Sequence, residues 1–118
     1  MKSLRLSNYI LHMQEACSDV VNYMEGLDKE SFMSDKRTQQ AITMNLVILG
    51  EAATKIMEHY PAFVEDHPHI AWKNMKGMRN RVAHGYFDIN LDVVWDTATS
   101  AIPTLNTDLI NLNLECDS

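Results

Sequence analysis

Cysteine is scarce in this sequence. Cys17 and Cys116 are the only two, too few and too far apart for a disulfide scaffold or a paired-cysteine zinc site. A reducing, cytoplasmic location is the simpler expectation. Proline (three) and glycine (four) are also few among 118 residues, which excludes collagen-like, linker-like and disordered chains. No apolar run approaches the roughly 20 residues needed to cross a bilayer, so no membrane association is expected. The opening MKSLRLSNY carries neither the apolar core nor the cleavage site of an export signal, and an unsecreted protein is expected. Positive charge is in deficit: ten Lys and Arg face 16 Asp and Glu, a net charge of -6 that disfavours broad electrostatic wrapping of nucleic acid without excluding a local basic patch. Sustained alternation with β-branched residues is missing as well, and no repeat is visible.

What is present is enough apolar material, 46% of residues, for one domain over residues 1–118. From Leu6 to Leu27 apolar residues step by three or four, through Ile10, Met13, Cys17, Val20 and Met24, which predicts a helix closed near Gly26. The polar run Asp28-Lys29-Glu30-Ser31 reads as its stop. Ser34 or Asp35 can cap a second helix running to Tyr60-Pro61. Between Ile42 and Leu49 this helix is apolar around much of its girth, which calls for cover on more than one side, from the bundle or from a second subunit. A short helical turn fits between Pro61 and Pro68. A third helix is predicted from Pro68 or His69 to Ala83, ended by Gly85, and a last one capped by Asn90 or Asp88 and bent at Pro103. The expected fold is all-α: an antiparallel, up-and-down four-helix bundle with room for a short extra helix, dimeric. The eight methionines mostly fall on apolar positions and read as adaptable core or interface filler.

Charge distribution says more than the charge sum. Between Trp72 and Phe87 there is no acidic residue, while Lys73, Lys76, Arg79 and Arg81 supply four of the ten cations. Asn80, His84 and Tyr86 lie in the same island. This set suits phosphate chemistry on RNA. An arginine fork can hold the phosphate and stabilise charge on its equatorial oxygens, an asparagine can orient it, and a histidine titrating near neutrality can move the 2′-OH or 5′-O proton. The attacking 2′-OH is part of the substrate, so no metal is called for. On a continuous helix Arg79 and His84 would stand about 140° apart, so a shared pocket requires the helix end to loosen or a second copy to supply one side. The same residues also have a structural reading, with Arg79 paired to an acid, His84 capping the last carbonyls and Gly85 turning the chain.

The string R-N-R-V-A-H-G-Y, Arg79 to Tyr86, matches an R-x4-H-x-Y motif, and the chain resembles the HepT toxin branch of the HEPN superfamily. Ile48 to Ala53 (I-L-G-E-A-A), Ala71 to Arg81 (A-W-K-N-M-K-G-M-R-N-R) and Val93 to Trp95 carry the same resemblance across almost the whole chain. It implies compact helical homodimers with the motif facing a cleft, and Arg79 and His84 as ribonuclease residues supported by Asn80. Lys73, Lys76 and Arg81 are then candidate RNA contacts. It further implies a type VII-like toxin whose antitoxin is a minimal nucleotidyltransferase of the MNT type, transferring AMP from ATP to Tyr86. ATP and Mg²⁺ would serve that modification, and no cofactor is implied for RNA cleavage. One departure is Ala71, where the family pattern often has proline, which softens the start of the third helix.

The competing readings are a noncatalytic helical module that docks such a nucleotidyltransferase, and a plain helical dimer with no site. His12, His59, His67 and His69 with Asp66 do not make a tetrahedral metal set, because Pro68 splits the nearest pair within a connection. Glu51 and Asp88 are candidates to orient Arg79 or His84, or to act as an ordinary salt bridge or cap.

Overall fold

The computed structural model describes residues 5–83 and 88–112. Among these every regular element is helical, apart from one isolated antiparallel bridge between Ala83 and Ile89. Helix α1 (Leu6–Met24) buries the expected stripe, Leu6, Ile10, Met13, Cys17 and Val20. It ends ahead of Gly26, whose φ of 75° is a left-handed conformation that side-chain-bearing residues rarely adopt. Burial pushes the Cys17 thiol up to about 12, so this cysteine behaves as a small core hydrophobe.

The polar run after Gly26 is more than a stop. Asp28 accepts a 2.8 Å hydrogen bond from the Ser31 amide and caps a short helix, α2 (Lys29–Met33). That turn drives Phe32 fully into the core, where its ring meets Trp95 at 5.4 Å between centroids. The longest element, α3 (Lys36–His59), starts at Asp35, whose carboxylate accepts from the Thr38 amide at 3.1 Å and from its hydroxyl at 2.6 Å. Both capping carboxyls are held below the ordinary carboxylate value by these hydrogen bonds.

Helix α4 (Pro61–Asp66) is the anticipated short turn, with proline in its first turn where no amide donor is needed. The anticipated third helix is instead two: α5 (Trp72–Lys76) and α6 (Met78–Val82), broken at Gly77 with φ -83° and ψ 0°. Glycine is the weakest helix former after proline, and Ala71 offers no side-chain acceptor to start α5 earlier. The Trp72 indole N–H donates instead to the His67 carbonyl at 3.0 Å. The helical run also stops at Val82, three residues before Gly85, because Ala83 is extended at φ -147° and ψ 128°.

Asn90 caps α7 (Leu91–Asp96) by accepting from the Val93 amide at 3.1 Å. The chain then passes through a π-helical turn, Thr97–Ala101, into α8 (Ile102–Ile110). Pro103 in the first turn of α8 cannot donate to the carbonyl four residues back, and the hydrogen-bond ladder widens just before it. The expected bend therefore takes the form of a π turn.

Helix α1 packs chiefly on α3, and α8 packs on α1, with the Gln14 side-chain amide donating to the Leu109 carbonyl at 2.9 Å. Ile42, Leu46, Leu49, Ala53 and Ile56 of α3 are fully buried in the resulting core. Among the described residues no helix is long and apolar enough to cross a membrane.

Candidate functional site

The site begins with a close approach between helices. At Gly50 an added Cβ would lie 2.8 Å from the Met75 carbonyl oxygen, so only glycine lets α5 come this near to α3. Docking α5 in turn fixes α6, which is anchored by buried Met78 and Val82, four residues apart on one side of the turn. With those two side chains inward, Arg79 and Arg81 are exposed, about 200° apart around the helix.

They therefore serve different surfaces. Arg79 lines a cavity of about 440 Å³ with Gln40, Thr43, Met44 and Val47 of α3, and with Ala83 and Ile89 on either side of the bridge. Arg81 lines another of about 430 Å³, between α5, α6 and the π turn, where its guanidinium donates to the Asn74 carbonyl at 2.9 Å. Lys73 belongs to a third hollow beside Trp72, and Lys76 is exposed. The acid-free island is thus contiguous in sequence but splayed in space, and Arg79 is its one cation lining the first cavity.

No described carboxylate lies within ion-pair distance of Arg79; the ion pairs among the described residues are Lys29–Asp92 at 3.2 Å and Lys55–Glu58 at 3.9 Å. Glu51 faces a different hollow, with Tyr9, His12 and Lys55, and Asp88 is exposed. Neither forms an ion pair that would orient Arg79. Asn80 is exposed and stands outside the Arg79 cavity.

His84 and Tyr86 lie outside the described residues. The chain on both sides of them is fixed: the Asn90 amide donates to the Val82 carbonyl at 2.8 Å, and Ala83 pairs with Ile89. Ala83 and Ile89 both wall the cavity. Helix α6 ends at Val82, and Ala83 is extended. Among the described residues no three His, Cys, Asp or Glu side chains gather as metal ligands.

Three residues that shape the site carry no obvious chemical label in the sequence. Gly50 had a signal, a glycine inside a 24-residue helix. Gln40 and Thr43 had a fainter one, polar side chains just before and within the stretch from Ile42 to Leu49 that is apolar around much of its girth.

The sequence profile of the family described as "Ribonuclease HepT-like" matches residues 13–111. A "Probable ribonuclease HepT" of Thermococcus cleftensis is 33% identical over 98 residues, covering 83% of this chain and 86% of its own length. A provisionally named RNase of Methanocaldococcus jannaschii is 34% identical over 87 residues, covering 74% and 72%. Another, from Caldanaerobacter subterraneus, is 31% identical over 97 residues, covering 82% and 84%. No solved structure matches the chain.

Proposed function

The chain belongs to the ribonuclease HepT-like family, and on that premise we propose that it is a metal-independent endoribonuclease, the toxin of a type VII-like toxin–antitoxin pair. The observation that carries this reading is Arg79: an exposed guanidinium without a carboxylate partner among the described residues, in a cavity walled by the residue that precedes His84. An arginine with no internal counter-ion keeps its full fork for a phosphate.

In this reading Arg79 grips the scissile phosphate and Asn80 helps to orient it. His84 takes the 2′-OH proton as the 2′-oxygen bonds to phosphorus. The bond from phosphorus to the 5′-oxygen breaks, and that oxygen leaves with a proton from a histidine, which a second subunit can supply. The products are a 2′,3′-cyclic phosphate and a 5′-OH. Lys73, Lys76 and Arg81 add attraction for the RNA backbone from neighbouring surfaces. Control is by an MNT-type nucleotidyltransferase: the Tyr86 hydroxyl attacks the α-phosphate of ATP and pyrophosphate leaves. ATP and Mg²⁺ belong to that transfer, and the added phosphate competes with RNA for Arg79.

The active form is a homodimer of antiparallel four-helix bundles in a cytoplasmic setting. Supporting the dimer, α3 exposes Met44 at 60% and Ile48 at 38%, and Leu11 of α1 is 50% exposed. Val47, between the two α3 residues, lines both the Arg79 cavity and the hollow at Tyr9 and His12. Apolar surface running from a cavity rim is what a second subunit would cover. Sedimentation equilibrium should give a dimer that Met44→Asp converts to monomer; a monomeric wild type at micromolar concentration overturns this part.

The primary test is cleavage of labelled single-stranded RNA in EDTA by unmodified protein and by His84→Ala. Loss of the cyclic-phosphate product in the variant, with helicity retained, is the expected result, and unchanged cleavage sinks the assignment. If neither protein cleaves while intact mass shows Tyr86 unmodified, the chain is instead a docking module for its nucleotidyltransferase.

A further inference from the structure

Thr43 differs from most threonines of these helices; Thr97 and Thr104 likewise make no hydroxyl hydrogen bond among the described residues, but only Thr43 has its oxygen itself buried. Thr54, Thr99 and Thr107 each donate their hydroxyl to the carbonyl four residues back, at 2.8, 2.8 and 3.2 Å. Thr38 donates to the capping carboxylate of Asp35. Thr43 makes no such bond, although it sits inside α3, where the same back-bond is geometrically available. Its residue is 8% exposed, and among the described residues its Oγ1 is the buried side-chain polar atom left without a partner. Such an atom calls for an explanation, because valine would fill the same volume without the desolvation penalty. The explanation is where it stands: Thr43 lines the Arg79 cavity.

The rest of that wall fits a particular ligand. Met44, Val47 and Ile89 give apolar surface, Gln40 gives an amide that both donates and accepts, and Arg79 stands beside them. A volume of about 440 Å³ falls in the range of small-molecule sites and is ample for a nucleoside. We infer that this cavity is a nucleobase subsite, in which Gln40 and Thr43 hydrogen-bond the edge of the base belonging to the nucleotide whose phosphate Arg79 holds. Rotation about χ1 exchanges the Thr43 hydroxyl and methyl, so the hydroxyl turns to the base when the cavity is filled. The inference rests on the ribonuclease reading above and adds its base selectivity.

The test compares wild type, Thr43→Val, Thr43→Ser and Gln40→Ala on four RNA substrates that differ only in the base 5′ to a single cleavable linkage. Binding of the corresponding 2′-O-methyl RNAs, which lack the nucleophile, is followed by fluorescence anisotropy. Wild type should prefer one base in both kcat/KM and Kd. Thr43→Val should lower kcat/KM on that base about tenfold, flatten the preference and weaken the matching 2′-O-methyl RNA, while Thr43→Ser restores it. The melting temperature of Thr43→Val should equal or exceed that of wild type, since an unmet hydroxyl is removed. A Thr43→Val protein with the wild-type preference overturns the subsite and leaves the ribonuclease standing, as does a wild type indifferent to the base. Uniform loss on all four substrates with a lowered melting temperature marks Thr43 as structural and also overturns it. Absence of cleavage by wild type whose intact mass shows Tyr86 unmodified overturns the ribonuclease reading and the subsite together.

Discussion

The two halves of α3 obey different rules. In the C-terminal half Leu49, Ala53 and Ile56 are fully buried, Thr54 satisfies its hydroxyl on the Gly50 carbonyl, and Gly50 itself lies against the backbone of α5. In the N-terminal half Ile42 and Leu46 are equally buried, but Met44 is exposed, Thr43 leaves its hydroxyl unmet among the described residues and Gln40 faces a cavity. One helix thus closes a core along its length, and only its N-terminal half also walls a cavity with an unmet hydroxyl. Unsatisfied polar atoms and exposed apolar surface cost stability, so their gathering beside an arginine with no ion pair among the described residues makes this the candidate recognition surface.

The contrast is sharpest when one side chain is removed from each half's neighbourhood. Leu49→Ala should cost about 2–5 kcal/mol in urea unfolding, through lost burial and the cavity left behind. Arg79→Ala should leave unfolding within about 0.5 kcal/mol of wild type, because no partner among the described residues is lost, yet reduce RNA cleavage on the order of 10²–10³-fold. A destabilised Arg79→Ala protein, or one that still cleaves, would break the division between the halves.

Gly50→Ala tests the junction. In an ordinary helix interior this change stabilises by roughly 1 kcal/mol. Here the added Cβ meets backbone at 2.8 Å, and a net loss of about 1–3 kcal/mol is expected as α5 is pushed away. Because α6 and Arg79 follow α5, cleavage should fall with it. A thermal midpoint above wild type would show that α5 moves without cost.

The smallest effect concerns the helix starts. The carboxyls of Asp28 and Asp35 are held below their ordinary value of 3.8, so the unfolded chain binds protons more readily than the folded one. Their contribution is fully present above that pH and is lost as pH falls through the lower folded values. Asp35→Asn, an amide that still caps, should make the acid limb of the stability profile shallower below pH 4 while changing little at pH 7. An unchanged acid limb would mean that the caps carry no pH-dependent stability.

Much of this was legible in the residues. Periodicity placed α1 and the buried stripe of α3, and Asp35 and Asn90 marked helix starts because an oxygen just before an apolar run satisfies free amides wherever it occurs. The acid-free island pointed to Arg79. Less legible were α2, where a capped turn looked like a polar stop, and the break at Gly77, where a single glycine divides a run whose apolar spacing is continuous. Periodicity averages over turns and is blind to a one-residue interruption.

By itself the sequence determined the all-helical class, the starts of α3 and α7 and the family, since these depend on local spacing, capping atoms and strings of neighbouring residues. Tertiary structure alone decided which members of the basic island face the same space. Once α5 docked at Gly50, Arg79 was parted from Lys73 and Arg81 and left facing Thr43 and Gln40, 36 and 39 positions earlier. Local rules fix how a helix turns. What stands across from it is set by packing between segments distant in sequence, which no local pattern encodes.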